Sequence, residues 1–151
     1  MALAKSIRFG SQRVLLGDGA DPEVFTSPCG LTTLGFSPNI SLTDTPVPDC
    51  DDPDLPVWIE SEVNSNQIRI TGSGILDADA LAVWQDWYFD QDGAARNVRW
   101  NRNLGTAAAG YFEGPAVLAS YSESGERTGR WQVDVEIAFS GKPTWVATPA
   151  K

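Results

Sequence analysis

Two acidic side chains, Asp134 and Glu136, alternate with Val133, Val135 and Ile137. On a strand this spacing puts both carboxylates on one face, about 7 Å apart, where one could serve as acid and the other as base in glycoside hydrolysis. A second acidic group, Asp49-Cys50-Asp51-Asp52-Pro53-Asp54, could offer oxygens to calcium. It lacks the spacing, the glycine and the closing glutamate of an EF-hand loop. Gly72-x-Gly74 precedes a helical pattern, but the third glycine of a dinucleotide loop is missing and no alternating β-α units surround it. There is no histidine, and Cys29 and Cys50 are the only thiols. That composition excludes Ser-His-Asp and Cys-His catalysis and any zinc site that needs imidazole. A solvated polar face is the plainer reading of Asp134 and Glu136, and a tight turn that of the glycine pair. The sequence therefore predicts no enzyme, no cofactor and no metal.

Charge is unevenly spread. Twenty acidic against eleven basic residues give a net charge of −9, which disfavours an open nucleic-acid-binding face. Between Val14 and Ile68 there are ten carboxylates and no Lys or Arg, a net of −10, so the rest of the chain sums to +1. The bases include a close group, Arg96, Arg99 and Arg102, with Arg127 and Arg130 further on. Two differently charged solvated surfaces would account for this. So would self-complementarity, in which an acidic face of one copy meets a basic face of the next and generates rings or filaments.

The elements that must position these groups are mostly strands. Residues 6–17 read as a first strand, with Ile7 and Phe9 flanking Arg8, and Val24-Phe25 as a short second piece. Residues 31–42 alternate through Leu34, Phe36, Ile40 and Leu42, with Pro38 demanding an edge or an end. Residues 43–56 hold Pro46, Pro48, Pro53 and Pro56 with five Asp, which predicts a long extended loop. Residues 57–62 and 67–70 then read as paired strands about a turn at Asn64-Ser65-Asn66. A helix is expected over about 77–92, capped by Asp77, with Asp79 in its first turn, a stripe of Leu81, Trp84 and Tyr88 widened by Ala80, Val83 and Trp87, and Gly93 as a stop. Strands follow at 96–102, 110–122 and 130–140, the last with Trp131, Val133, Val135, Ile137 and Phe139 on one face. Residues 144–147 add a short final strand or arm. One helix among seven or eight strands predicts a mainly β chain, a sandwich or barrel with a single flanking helix.

The length of 151 residues bounds this to a single domain over 1–151. A content of 42% hydrophobic residues with six Trp argues against disorder. No apolar run approaches about 18 residues, and Lys5 falls where a signal peptide would need apolar residues. The expectation is a chain made and kept in a cytoplasm, with no membrane partner. Reducing conditions favour free Cys29 and Cys50, although a particle later released from the cell could still pair them.

The order of these features resembles the major tail tube proteins of long, non-contractile phage tails and of the related gene transfer agents. Carrying the resemblance are Cys29-Gly30, the loop Pro48-Asp-Cys-Asp-Asp-Pro-Asp54, Ile68-x-Ile-Thr-Gly-Ser-Gly74 leading into one amphipathic helix, and Gly129-Arg-Trp131 through Phe139-Ser-Gly141. The resemblance covers residues 6–146. The resemblance implies a two-sheet sandwich with a flanking helix, six copies to a ring, and rings stacked into a hollow tube through which DNA passes without specific binding. It implies self-association as the main partnership, with a tail terminator, distal tail or tip proteins and a tape measure protein as further partners. The loop at 43–56 would reach the adjacent ring, and short N- and C-terminal arms would help join subunits. On that footing Asp49, Asp51, Asp52 and Asp54 are expected to dock against Arg96, Arg99 or Arg102 of the next ring. Asp134 and Glu136, or the polar face of another long strand, are expected to line the lumen, since a wall that passes DNA should repel phosphate. A Cys29–Cys50 bond would tether the loop at its base.

Three other readings compete. Another phage tail or head-tail part of similar fold differs only in whether rings stack indefinitely. A carbohydrate- or surface-binding sandwich could use Trp58, Trp100 and Trp145 as a platform, with Trp84, Trp87 and Trp131 in the core. A carboxylate-based hydrolase comes last.

Overall fold

A computed structural model describes residues 2–18, 23–89, 96–104 and 108–147. In chain order they form a 3₁₀ turn (Phe9–Ser11), β1 (Gln12–Gly17), β2 (Phe25–Thr26), β3 (Leu31–Val47), β4 (Trp58–Ile75), α1 (Ala78–Phe89), β5 (Arg96–Arg102), β6 (Gly110–Ser124), β7 (Gln132–Phe139) and β8 (Thr144–Ala147). All eight strands belong to one antiparallel sheet, in the order β2-β1-β5-β6-β7-β4-β3, with β8 also on β6. Strand β6 is long enough to serve both: residues 116–124 pair with β7 and residues 110–113 with β8. The chain passes from β7 to β8 through Gly141, at φ 91, where a side chain would be strained.

Alternation along these strands makes the core. Val14 and Leu16, Val98 and Trp100, Ala116 and Leu118, and Val133, Val135, Ile137 and Phe139 are all buried, as is Ile70 of β4. The inward face of one strand alone could not bury itself, so the sheet curls over. Phe36 of β3 stacks on Trp100 of β5 at 5.3 Å and on Phe112 of β6 at 5.4 Å, although β3 lies at the far end of the strand order. The expected mainly β, two-layer architecture is thus built by one continuous sheet folded on itself.

Helix α1 fills the open side. Asp77 caps it, accepting the Ala80 N–H on Oδ2 at 3.2 Å, and Asp79 occupies the first turn. Of the expected stripe, Ala80, Trp84 and Trp87 are buried, Leu81 and Val83 are half-buried, and Tyr88 is exposed. Tyr88 lies at the margin, stacked on Tyr121 at 5.0 Å. Burial, helped by a hydrogen bond to Glu123, raises the Tyr121 phenol above its usual range. The expected stop at Gly93 lies outside the described residues.

Four further expectations are corrected. The first strand starts at Gln12, because residues 9–11 close a tight turn in which the Ser11 N–H donates to the Arg8 carbonyl. Asn64-Ser65-Asn66 is no turn: β4 runs straight through it, with Ser65 and Asn66 opposite Ser41 and Ile40 and Asn64 taken up as a bulge. The 43–56 loop is correspondingly shorter, since residues 43–47 continue β3 and Pro46 pairs with Ile59. An edge strand tolerates this, because every second residue turns its N–H away from the partner. Trp131 precedes β7 and is 60% exposed, whereas Trp100 is buried at 3% with its indole N–H on Gln12.

The glycines Gly30 and Gly74 mark a close crossing. Gly30 has φ 97, and a Cβ at Gly74 would run into the Gly30 carbonyl and the Thr32 N–H. The Gly72-x-Gly74 motif therefore serves strand packing.

Trp84 is 1% exposed and Trp58 is 84% exposed. Trp84→Ala should cost about 3–5 kcal/mol and Trp58→Ala less than about 0.5 kcal/mol. Urea denaturation of the unassembled chain, followed by far-UV circular dichroism, checks both.

Candidate assembly interfaces

Beyond the body, β3 and β4 continue as a two-stranded arm on which every residue from 37 to 67 is exposed. Side chains directly across a ladder share a face. The pairs Leu42–Val63 and Pro46–Ile59 therefore lie together, with Ile40 in the same row of β3. These apolar groups remain 55–62% exposed at Ile40, Leu42, Ile59 and Val63. They continue the row that holds the half-buried Phe36 and the buried Ile70 in the body. The opposite face pairs Thr43 with Glu62 and Thr45 with Glu60 and is polar up to the tip, where Val47 faces Trp58. The arm is amphipathic: its apolar side is bare and is interrupted by Asp44 and Ser61, which are hydrogen-bonded to each other. The sequence hides this ribbon, because prolines and asparagines favour loop and turn. The alternation of Ile40 and Leu42 was the available signal.

The polar face runs back onto the body. There Thr71 and Ser120 flank Glu136, and Ser73 and Ser122 flank Asp134. Both expected lumen residues thus point away from the core, on a shallow recess of about 310 Å³ lined by hydroxyls. Glu136 is ion-paired with Arg69. The recess is open and one carboxylate is engaged by a cation, which fits a polar wall better than an acid-base pair.

Arg96, Arg99 and Arg102 do not form one patch. Their period is three and that of a strand is two, so Arg99 points to the face opposite Arg96 and Arg102. Arg96 lies over Trp87, and Arg102 over Phe36 and Phe112 at 5.2 and 5.4 Å. Arg99 lies over Phe25 at 3.8 Å and reaches Glu113 at 3.4 Å. Each guanidinium is already held by aromatic faces of its own chain.

At the arm tip the acidic loop is folded by its own carboxylates. Asp49 accepts the N–H groups of Asp51 and Asp52 at 2.8 and 3.2 Å, and Asp52 accepts that of Asp54. The Leu55 N–H returns to the Asp52 carbonyl, closing a β-turn with Pro53 at its second position. Cys29 and Cys50 are both free and exposed. They stand at opposite ends of the 17-residue β3, on the order of 50 Å apart at the rise of a strand. A bond needs Cα atoms within about 7 Å, so the Cys29–Cys50 pairing within one chain is ruled out.

Comparison with known proteins identifies the family and the fold. A family model described as phage tail tube protein matches residues 10–145. The fold is similar to a chain in the virion of a native gene transfer agent particle, with TM-score 0.74 and 18% identity, covering 94% of this chain and 100% of that one. The same figures hold for the tail of an empty gene transfer agent particle, obtained by helical refinement with C6 symmetry. The SPP1 tail tube is also similar, at TM-score 0.58 and 12% identity over 95% of this chain and 81% of that one. No curated protein matches the chain.

In the unassembled native chain, Ellman's reagent should titrate both thiols without denaturant. A single reactive thiol, or a mass two hydrogens low, would contradict the separation of Cys29 from Cys50.

Proposed function

The chain belongs to the phage tail tube protein family, and from that premise we propose that six copies close into a ring and that rings stack into the hollow tube of a tail. The family is structural, so the chain is a virion tail component and not an enzyme. Six-fold closure is supported by the C6 symmetry of the similar gene transfer agent tail. On this reading residues 1–151 form one tail-tube domain, assembled in the host cytoplasm, with short arms at both ends that join subunits. A tail terminator, tip proteins and a tape measure protein are its further partners.

The observation that carries the reading is the bare, amphipathic arm. A two-stranded ribbon is marginal by itself in water, and an exposed apolar row of this kind marks a protein interface. Its continuity with the core face makes it an extension of the fold that only another molecule can cover. A second copy in a head-to-tail ring stack provides that cover, and such a contact propagates rather than closing.

The polar face suits the channel. Asp134, Glu136, Glu60 and Glu62 present carboxylates among Ser and Thr, with Arg69 as the cation already paired. Such a wall repels phosphate and releases no counterions, so DNA passes without being held.

Negative-stain electron microscopy of the purified chain across concentration and salt tests the assembly. Rings or hollow tubes of uniform diameter are expected, and single subunits under every condition would overturn the reading. Replacing residues 41–65 by a short turn should leave the body folded and abolish stacking. A third expectation concerns the wall: Asp134→Lys should leave tubes intact and make them retain short duplex DNA at low salt, measured by co-sedimentation. Equal retention by unmodified tubes would remove Asp134 from the lumen.

A further inference from the structure

The body carries an exposed indole, Trp131, at the end remote from the arm. Between β6 and β7, residues 125–131 form a turn in which the Gly129 N–H donates to the Glu126 carbonyl at 3.0 Å, placing Arg127 at the corner. Arg127 and Arg130 are exposed, and among the described residues neither has an ion-pair partner. Trp131 is exposed yet fixed. Its carbonyl accepts the Leu76 N–H at 3.0 Å, and its ring lies so close over Gly125 that a Cβ there would sit 2.8 Å away. A rigid, uncovered indole beside two unpaired guanidinium groups is the composition of an interface anchor.

The arm tip offers the complement. The ends of β3 and β4 and their loop enclose a recess of about 620 Å³ whose apolar lining includes Val47, Leu55, Val57 and Trp58. Asp49 and Glu60 also line it, Asp51, Asp52 and Asp54 belong to the same loop, and no basic residue occurs anywhere from 14 to 68. The two surfaces cannot meet within one chain. Trp58 starts the 18-residue β4 at the tip, and Ile75 ends it opposite Gln132, beside the turn. They are roughly 55 Å apart at the rise of a strand. Displacing a second copy along that strand brings tip and turn together.

We infer that the arm tip of one copy receives the β6–β7 turn of a second copy in the next ring, a specific form of the stacked-ring reading on which it rests. Arg127 and Arg130 lie against the loop carboxylates, and the Trp131 indole enters the recess. This places the basic side of the joint away from Arg96, Arg99 and Arg102, whose guanidinium groups are stacked on their own chain. Glu126 lowers the net charge of the turn to +1, so the indole has to supply the apolar part of the contact. Charge sets the register.

The test uses the full chain and compares four forms at about 0.1 M salt, where unpaired surface charges are screened beyond about 10 Å. Arg127→Glu with Arg130→Glu should cut mean tube length by about tenfold while leaving ring diameter unchanged. Asp51→Arg with Asp54→Arg should do the same. Combining all four substitutions in one chain should restore tubes. Tubes of full length from either reversed pair, or no restoration in the combined form, would overturn the contact. Failure of the unmodified chain to make rings or tubes is a different result, and it would overturn the stacked-ring reading itself. A second readout does not depend on tube length. With Cys29→Ser and Arg127→Cys, a mild oxidant should join the native Cys50 of one copy to the introduced thiol of the next. The product is a covalent ladder on a non-reducing gel, and its absence from assembled tubes also overturns the contact.

Discussion

The pairing of β3 with β4 sets everything else in this molecule. It begins at Leu31–Gly74 inside the body and continues to Val47–Trp58 at the arm tip. Because side chains alternate with a period of two, the ladder carries the distinction between inner and outer face far past the point where there is a core to face. Phe36 and Ile70 are on the inner side where the sheet folds over. Leu42 and Val63 are on the same side where it does not. The exposed apolar row is therefore a geometric consequence of extending a core hairpin, and the bulge at Asn64 keeps the rows in step.

The body shows how such a sheet is held by aromatic packing. Curling brings Phe36 onto Trp100 and Phe112, and α1 adds Trp84, which stacks on Trp87 and packs against Tyr121. Large aromatic groups bury much apolar surface per residue at little cost in conformational entropy. Arginines sit over several of these rings at the rim of the core. Their stems and planar heads shield the aromatic edges from water. The residues that a charge count marks as an interface are thus partly structural.

Much of this was legible in the sequence where one periodicity dominated. The alternation from Val133 to Phe139 marked β7 with one buried face, and Asp77 marked the start of α1. Asp134 and Glu136 were legible as outward-facing for the same reason. The acidic run was legible as a loop at its centre. Legibility failed where local chemistry opposed tertiary context. Proline and a triplet of Asn-Ser-Asn argue for loop and turn, yet an edge strand accepts the first and a bulge absorbs the second. Arginines spaced by three look clustered in one dimension and are split by a strand. Trp131 obeys the β7 alternation but falls one residue before the ladder begins, where no opposing layer covers it. Trp100 looked free to serve as a surface platform because burial of a strand with flanking arginines depends on β3 folding back over it, a non-local event.

The prolines at 38 and 46 have a consequence for the chain before it assembles. Strand β3 pairs with β4 alone, so its other side is a long open edge, the kind of backbone row that invites other chains to add strands indiscriminately. Pro38 and Pro46 interrupt the row of donors along that edge, at positions where the pairing to β4 is unaffected. Backbone-driven polymerisation, which would proceed in any register and lead toward fibrous aggregates, is thereby hindered. Contacts read by side chains are left open. The same substitutions that made the arm hard to recognise as sheet keep a concentrated pool of subunits soluble until the correct neighbour arrives.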